Sequence, residues 1–406
     1  MRCFLVFCLA LSNICWAHAA QKREYEVSFS AEFLPDRGVA ATTIRVDQSS
    51  HVLRRLVFIA AEPQFSRFEG DGEISRDGRE VSWEVPAQGG SISYEVEVDH
   101  LRGRAFDARM TENWAILRLD DLFPPARVRS LSNSVSISSL ELYGPPGWRF
   151  ESRYGPVESA ISVKDEARRF DRPTGWMAAG ELGIRRGIIG KHRVTIAAPQ
   201  NQGMRRMDIL AFIRWTLPRL IKAFPSFPSR LLIVGAEDGM WRGGLSGPDS
   251  LYMHPDRPLI SENATSTLLH ELMHMVSGQA RGPKADWIIE GLAEYYSLEI
   301  LRRSGGISQK RFDSAMENLA DWAERDNGRL VSPSSGANTA RAVLVFDQIA
   351  ALLAAEHAGS LDAVIRKLLN GPAMDGDQLL KLTEAALGAP APQLQRTIDK
   401  YQGPDT

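Results

Sequence analysis

Two histidines and a glutamate lie close together in the segment Ser266–Gly278. His270, Glu271 and His274 form the pattern H-E-x-x-H there. In an α-helix, residues four positions apart return to nearly the same face, so both imidazoles can bind one metal ion. A tetrahedral zinc ion accepts imidazole nitrogen at about 2.0–2.1 Å, which this spacing allows. Glu271 can then approach the metal and accept a proton from bound water, so the pattern predicts a zinc site with a general base.

The residues around the two histidines have the pattern of a helix. Apolar side chains occupy most of the neighbouring positions: Leu268, Leu269, Leu272, Met273 and Val276. Ser261 or Asn263 is expected to cap the start of this helix, and Gly278 is expected to end it. A pentapeptide as short as H-E-x-x-H also arises by chance on ordinary buried helices, and this is the alternative.

A second helix with two acidic residues is predicted in the segment Asp286–Ser297. Asp286 is expected to cap it, and Glu290 and Glu294 lie four positions apart on one face. A thermolysin-like zinc site takes its third protein ligand, a carboxylate, from such a helix. Glu294 stands at the thermolysin-like interval, so spacing alone slightly favours it, and the other carboxylate would orient a ligand histidine. The alternative is a solvated acidic stripe, which Trp287 and two tyrosines in the same turns disfavour.

Following H-E-x-x-H, the stretch Trp287–Tyr295, W-I-I-E-G-L-A-E-Y, resembles the gluzincin peptidases. This group includes the aminopeptidase N and the glycyl aminopeptidase families. The longer segment Glu290–Ser308 is most similar to the glycyl aminopeptidases. Upstream, Gly243-Gly244-Leu245 is similar to the start of the G-G-L-E-H motif in that family. The resemblance is strong over about residues 230–310 and diffuse over the rest of the chain.

The resemblance implies a zinc metallopeptidase with one Zn²⁺ ion. In both families the glutamate before glycine is the third ligand, which is Glu290 here and leaves Glu294 beside a ligand histidine. The interval between the second histidine and Glu290 is shorter than either family normally has. Zinc held by His270, His274 and Glu290 would activate water. Glu271 would accept the proton and pass it to the leaving amine of a peptide or protein substrate.

Two departures from the families leave specificity and turnover open. Gluzincin aminopeptidases place a tyrosine ahead of a helix in the second lobe as the donor to the oxyanion, and Asn338 stands at that position here. Arg341 is chemically the better charge stabiliser, with a surface charge at a helix start as the alternative. Ser246 replaces the glutamate that anchors a free amine in G-G-L-E-H. We therefore expect an endopeptidase or an altered aminopeptidase, or alternatively a zincin-fold binding or scaffold protein with little turnover.

The first residues have the pattern of a secretory signal. Met1–Ala19 has Arg2 at its positive end, a short apolar run and an A-H-A cleavage pattern. Cys3, Cys8 and Cys15, the only cysteines of the sequence, lie in this segment, so no disulfide is expected after cleavage. These features predict export across the inner membrane, most simply to a bacterial periplasm.

The order of patterns along the chain predicts an α+β protein. Residues 20–185 alternate apolar and polar positions, as in an antiparallel β domain. Residues 186–302 change to the strands and helices of a thermolysin-like upper lobe, in which Leu251–His254 is expected to be an edge strand that can pair with peptide. Residues 303–406 are expected to form a helical second lobe that ends in a tail from Pro390, without a PDZ domain.

Composition excludes some classes of partner. The formal net charge is −2, and no block of like charges indicates nucleic-acid binding. No apolar run after the signal is expected to span a membrane. Oligomeric state has no signature in the sequence.

Overall fold

The computed structural model describes residues 22–164, 170–237, 239–278, 285–325, 330 and 334–402. The predicted signal, residues 1–19, lies outside the described residues, together with its three cysteines. Within the described ranges, antiparallel sheets precede a region rich in helices. The predicted α+β class is therefore confirmed.

The N-terminal region consists of strands, one short α-helix and one 3-10 turn at Pro35–Arg37. They are β1 (Arg23–Leu34), β2 (Val39–Asp47), β3 (Leu53–Ile59), β4 (Phe65–Gly70), β5 (Glu73–Asp77), β6 (Glu80–Glu84), β7 (Gly89–Glu97), β8 (His100–Arg102), β9 (Ala105–Met110), β10 (Trp114–Arg118), α1 (Leu119–Leu122), β11 (Ala126–Ser130), β12 (Ser134–Tyr143), β13 (Arg149–Ser152), β14 (Gly155–Pro156), β15 (Ile161–Val163) and β16 (Trp176–Gly180). In β1, every second side chain from Tyr25 to Phe33 is buried, which is the period of a half-buried strand. The same alternation made this region predictable from the sequence.

These strands form three sheets. Their strand orders are β15-β12-β1-β2-β7-β4, β14-β13-β16-β10-β9-β8 and β11-β3-β6-β5. Described neighbours are antiparallel, with the exception of β1 and β12, which pair in parallel. Buried aromatic side chains fill the space between the sheets and include Phe29, Phe58 and Trp83.

The second region places helices on a mixed sheet. Its elements are β17 (Leu182–Ile189), β18 (His192–Pro199), α2 (Arg206–Ala223), β19 (Arg230–Val234), β20 (Gly244–Gly247), β21 (Ser250–Met253), α3 (Thr267–Ser277) and α4 (Asp286–Arg303). The sheet has the order β17-β18-β19-β21-β20, and β17 runs across the predicted domain boundary at residue 185.

The edge of this sheet beside α3 is β20, so the prediction of Leu251–His254 as the edge strand was wrong. That stretch overlaps β21, which is paired with β19 on one side and with β20 on the other. The sequence of β20 is G-L-S-G, which has too few apolar side chains to show the alternation of a strand.

The C-terminal region is helical, as predicted. Its helices are α5 (Gln309–Ala323), α6 (Ala337–Ala355), α7 (Leu361–Leu369), α8 (Gly376–Leu387) and α9 (Pro392–Gln402). The predicted tail was wrong, because α9 occupies most of it and buries Leu394 and Ile398. Pro392 begins this helix, at the position where proline is compatible with helical structure.

Helix α6 is long and apolar enough, by length and composition alone, to cross a membrane, and it is the one such helix in the described part of the chain. This corrects the expectation that no later run reaches that length. About half of its residues are buried inside the protein, and it packs against α4 and α5. This burial is that of a core helix.

The contact between α4 and α6 is very close at Gly291. A Cβ atom at this position would lie 2.4 Å from the Cβ of Ala342 and 3.0 Å from the ring of Phe346. Only a residue without a side chain therefore allows the two helices to approach this closely.

Candidate active site

Helix α3 carries both histidines of H-E-x-x-H. The helix begins after Ser266, whose hydroxyl accepts a hydrogen bond from the backbone N–H of Leu269 at 3.4 Å. It ends at Gly278, as predicted, with a φ of 70° that suits glycine. Ser261 and Asn263, the predicted caps, lie outside the helix because it begins several residues later.

Helix α4 carries the two acidic residues and is buried along most of its length. Ala285 precedes it without a capping side chain, so the prediction of Asp286 as the cap was wrong. The Asp286 carboxylate instead accepts a hydrogen bond from the backbone N–H of Ser334 at 2.5 Å. The side chains of Glu290 and Glu294 are 31% and 24% exposed, so they do not form a solvated stripe.

His270, His274 and Glu290 converge between the two helices. The Nε2 atoms of the two histidines are 3.0 Å apart. Oε2 of Glu290 lies 3.5 Å from Nε2 of His270, and Oε1 lies 3.5 Å from Nε2 of His274. A tetrahedral ion with bonds of 2.0–2.1 Å has ligand atoms about 3.3 Å apart. The spacing and the chemistry of these donors therefore fit one zinc ion.

Glu294 lies on the other side of His270. Nδ1 of His270 donates a hydrogen bond to Oε2 of Glu294 at 3.1 Å. This contact leaves Nε2 of the same ring directed towards the other two donors and fixes the tautomer that a metal ion needs. It is the contact that the sequence analysis expects of the carboxylate that does not bind zinc.

The charges in this cluster favour a cation. Burial lowers the pKa of His270, but hydrogen bonds to Glu290 and Glu294 outweigh it and raise the pKa to about 10. Burial and the neighbouring His270 lower the pKa of His274 to about 4. For Glu290, burial raises the pKa, but the hydrogen bond to His270 and the two imidazoles bring it below its usual range. The carboxylates thus attract positive charge, while His274 is neutral, which is the form in which an imidazole can bind a metal ion.

Glu271 lies beside the cluster, and its side chain is enclosed. It is 7% exposed, and burial raises its pKa to about 7, with His270 acting in the opposite direction. The backbone and side chain of Ser246 form hydrogen bonds to its carboxylate. A Cβ atom at Gly244 would lie 2.5 Å from Cγ of Glu271, so β20 contacts this side chain directly. A carboxyl group with this pKa can accept and release a proton near neutral pH.

The contact of Ser246 with Glu271 is a feature that the sequence analysis missed. In the sequence, Ser246 is recognisable only as a departure from G-G-L-E-H. Alternation along a strand places Gly244 and Ser246 on the same face, and this signal would have paired them once β20 was recognised as a strand.

Solved structures resemble this chain, although no family model and no curated protein matches its sequence. An aminopeptidase N family protein from Idiomarina loihiensis superposes with a TM-score of 0.64 at 12% identity, covering 93% of this chain and 74% of that one. Legionella pneumophila aminopeptidase A, solved in complex with aspartic acid, gives a TM-score of 0.57 at 12% identity. The alignment covers 95% of this chain and only 50% of the Legionella protein. The fold is that of the aminopeptidase N family.

In this aminopeptidase N-like fold, Asn338 lies in the first turn of α6 and Arg341 begins the second turn. Arg341 is 2% exposed and is therefore not a surface charge. Its Nη1 donates to Oδ1 of Asn338 at 2.8 Å, and its Nη2 donates to the carbonyl of Ala323 at 2.5 Å. The pair thus ties the start of α6 to the end of α5, and an oxyanion role for either residue stays a prediction.

The N-terminal β domain of the aminopeptidase N-like fold reaches the segment that leads into β20. The backbone N–H of Phe106 donates to the carbonyl of Gly239 at 2.9 Å, and the N–H of Trp241 donates to the carbonyl of Phe106 at 2.8 Å. The guanidinium of Arg102 lies 5.3 Å from the ring centroid of Trp241. The β8–β9 hairpin is therefore fixed next to the strand that contacts Glu271.

Proposed function

We propose that this chain is a zinc metallopeptidase of the gluzincin type, exported to the periplasm, that hydrolyses peptide bonds. The observation that carries the proposal is the triangle of donor atoms from His270, His274 and Glu290, with the buried Glu271 beside it. Zinc bound by these residues would polarise a peptide carbonyl and make water acidic at neutral pH.

Glu271 is the general base in this proposal. Its carboxylate takes a proton from the attacking water and later gives it to the leaving amine. Burial raises the pKa of this carboxyl group above its usual value, which makes the carboxylate a stronger proton acceptor. Ser246 holds the carboxylate through two hydrogen bonds, so the base does not have to be ordered during the reaction.

An extended peptide is the substrate that the sheet supports. β20 is paired with β21 on one side only among the described strands, and it lies against α3. The free edge of such a strand can bind peptide through backbone hydrogen bonds. Ser246 has no charge to anchor a free amine, so the proposal covers both an endopeptidase and an altered aminopeptidase.

Glu271→Gln tests the proposal, because the amide keeps the size of the side chain but cannot accept the proton. We expect hydrolysis of a peptide library to fall about 10²–10⁴-fold, while zinc content measured by metal analysis stays stoichiometric. His270→Ala is the companion variant and should lose the zinc. Equal activity of wild type and Glu271→Gln would exclude Glu271 as the base.

The competing proposal is a zincin-fold binding or scaffold protein. It is supported by Arg341, whose guanidinium donates to two protein oxygens, and by Asn338 at the position of the usual tyrosine. Wild type that binds peptides from the library without cleaving any of them would favour this second proposal.

Export rests on the pattern of residues 1–19 alone. We expect the protein in the periplasmic fraction of its bacterial host to begin at Ala20, as measured by mass spectrometry of the N-terminal peptide. Protein that retains Met1 and stays with the cytoplasmic fraction would contradict it.

A further inference from the structure

A cavity separate from the candidate active site lies where the ends of α2 and α4 meet the start of α7. It has a volume of about 570 Å³, within the range of roughly 300–1,000 Å³ that is usual for small-molecule pockets. The residues that line it are Arg219, Lys222, Arg303, Ser360, Asp362 and Arg366. None of them belongs to the metal cluster.

The only acidic residue among these six is already neutralised. Oδ2 of Asp362 accepts a hydrogen bond from Nη1 of Arg303 at 2.7 Å, and Oδ1 accepts one from Nη2 at 3.0 Å. The hydroxyl of Tyr296 also donates to Oδ1 at 2.8 Å. Asp362 is thus bound to Arg303 and also lies in the field of Arg366, so one carboxylate faces four cations and the cavity has an excess of positive charge.

Arg219 and Lys222 have no acidic partner in the described part of the chain, and Arg366 shares the charge of Asp362 with Arg303. Nη1 of Arg366 donates to the carbonyl of Ala223 at 2.5 Å, a neutral acceptor that does not cancel its charge. Arg219 and Lys222 are three positions apart on α2, so they share one face, and both are exposed. No ion pair within 4 Å of either residue occurs among the described residues.

We propose that this cavity binds a phosphate group, either as inorganic phosphate or as the head of a phosphate monoester. A dianion matches this excess of positive charge better than a single carboxylate does, and the planar fork of arginine suits phosphate oxygens. The hydroxyl of Ser360 accepts a hydrogen bond from the N–H of Ala363 at 3.4 Å, and its own hydrogen can be donated to a phosphate oxygen.

The test is a binding measurement on the full chain, independent of any peptidase activity. Sodium phosphate is titrated by calorimetry at constant ionic strength, with chloride as the replaced anion. Sedimentation with phosphatidylcholine vesicles, with and without phosphatidic acid, shows whether the same chemistry is recognised on a lipid headgroup. The variant is Arg219→Ala/Lys222→Ala, which leaves the Arg303–Asp362 pair in place. The control is Lys191→Ala/Arg214→Ala, which removes the same charge from exposed positions elsewhere.

Saturable binding with a Kd below about 1 mM in either arm is expected for wild type and for the control. Binding should weaken about tenfold or more in Arg219→Ala/Lys222→Ala. Binding in the calorimeter points to free phosphate, and binding in the vesicle arm alone points to a headgroup. Absence of binding in both arms would overturn the proposal, as would an equal loss of binding in the two double variants.

Discussion

Helices α3 and α4 direct polar side chains towards each other, whereas the start of α6 directs its polar side chains towards α5. Between α3 and α4, two imidazole nitrogens and a carboxylate lie within 3.0–3.5 Å of one another. At α6, Arg341 donates to Asn338 and to Ala323, so donors meet acceptors directly. Both groups are largely enclosed, but their polar atoms are matched in different ways.

The difference shows which polar cluster requires a ligand. Donors that meet acceptors are satisfied by the protein itself, and such networks stabilise a fold. Two imidazole nitrogens pressed together beside carboxylates are satisfied best by a cation, because each nitrogen lone pair then has a partner. The first arrangement is expected in a structural network and the second in a metal site.

The largest effect is expected from the two carboxylates of α4. Glu290→Ala should abolish stoichiometric zinc binding, since it removes one of the three donor atoms. Glu294→Ala should lower zinc affinity only about 10–100-fold, because Glu294 acts through the tautomer of His270. Zinc affinity measured by competition with a chelator separates the two variants. Equal losses would place both carboxylates on the metal.

Gly244→Ala tests whether β20 positions the base. The added Cβ would push the Glu271 carboxylate away, because it would lie 2.5 Å from Cγ. We expect kcat to fall on the order of 10²-fold with zinc content unchanged. Gly187→Ala is the matched control. Gly187 lies on the distant strand β17, where the added Cβ would lie 2.8 Å from the side chain of Leu210 on α2. A parallel fall in both variants would indicate general damage to the sheet.

Arg341→Met tests the satisfied network at α6. The variant leaves Oδ1 of Asn338 and the carbonyl of Ala323 without their donor, so the free energy of unfolding should fall by about 1–3 kcal/mol. Chemical denaturation measures this loss. If kcat instead fell about 10²–10³-fold under conditions where the variant is folded, Arg341 would have the predicted oxyanion role.

The last expected effect is a dependence of stability on pH that arises from Glu271. Burial raises its pKa in the folded, metal-free protein to about 7, above the usual value of 4.5, so the folded state holds this proton more tightly than the unfolded state. Stability should therefore fall as pH rises from about 4.5 to 7, by at most about 1.4 kcal/mol per pH unit. Denaturation of wild type against Glu271→Gln in chelator isolates this contribution, and identical pH profiles would contradict it.

The sequence predicted those parts of the site whose chemistry depends on local spacing. H-E-x-x-H fixes two histidines and a base on one helix, and the glutamate before glycine resembles a known ligand position. Spacing alone favoured Glu294, whereas the structure brings Glu290 to the imidazoles and Glu294 to Nδ1 of His270. The placement of α4 against α3 determines which carboxylate reaches the imidazoles. Residue spacing in the sequence does not specify that placement.

Other features depended on contacts between distant residues. The hydrogen bonds of Ser246 to Glu271 arise only after β20 has paired with β21 and packed on α3. The burial of Arg341 was not predicted, because arginine is ordinarily exposed at helix starts and its acceptors on Asn338 and Ala323 are recognised only in the folded chain. Helix α9 was missed because few apolar residues mark it.

Glu290 and Gly291 are adjacent residues of α4 that meet two different structural requirements. Glu290 must face the imidazoles, and the next residue, turned about 100° around the axis, must leave clearance for α6. The dipeptide Glu290-Gly291 thus provides both a carboxylate near the imidazoles and the close packing of α4 on α6. A methyl group there would push α6 away from α4, so the position of α6 relative to α4 depends on the absence of one side chain.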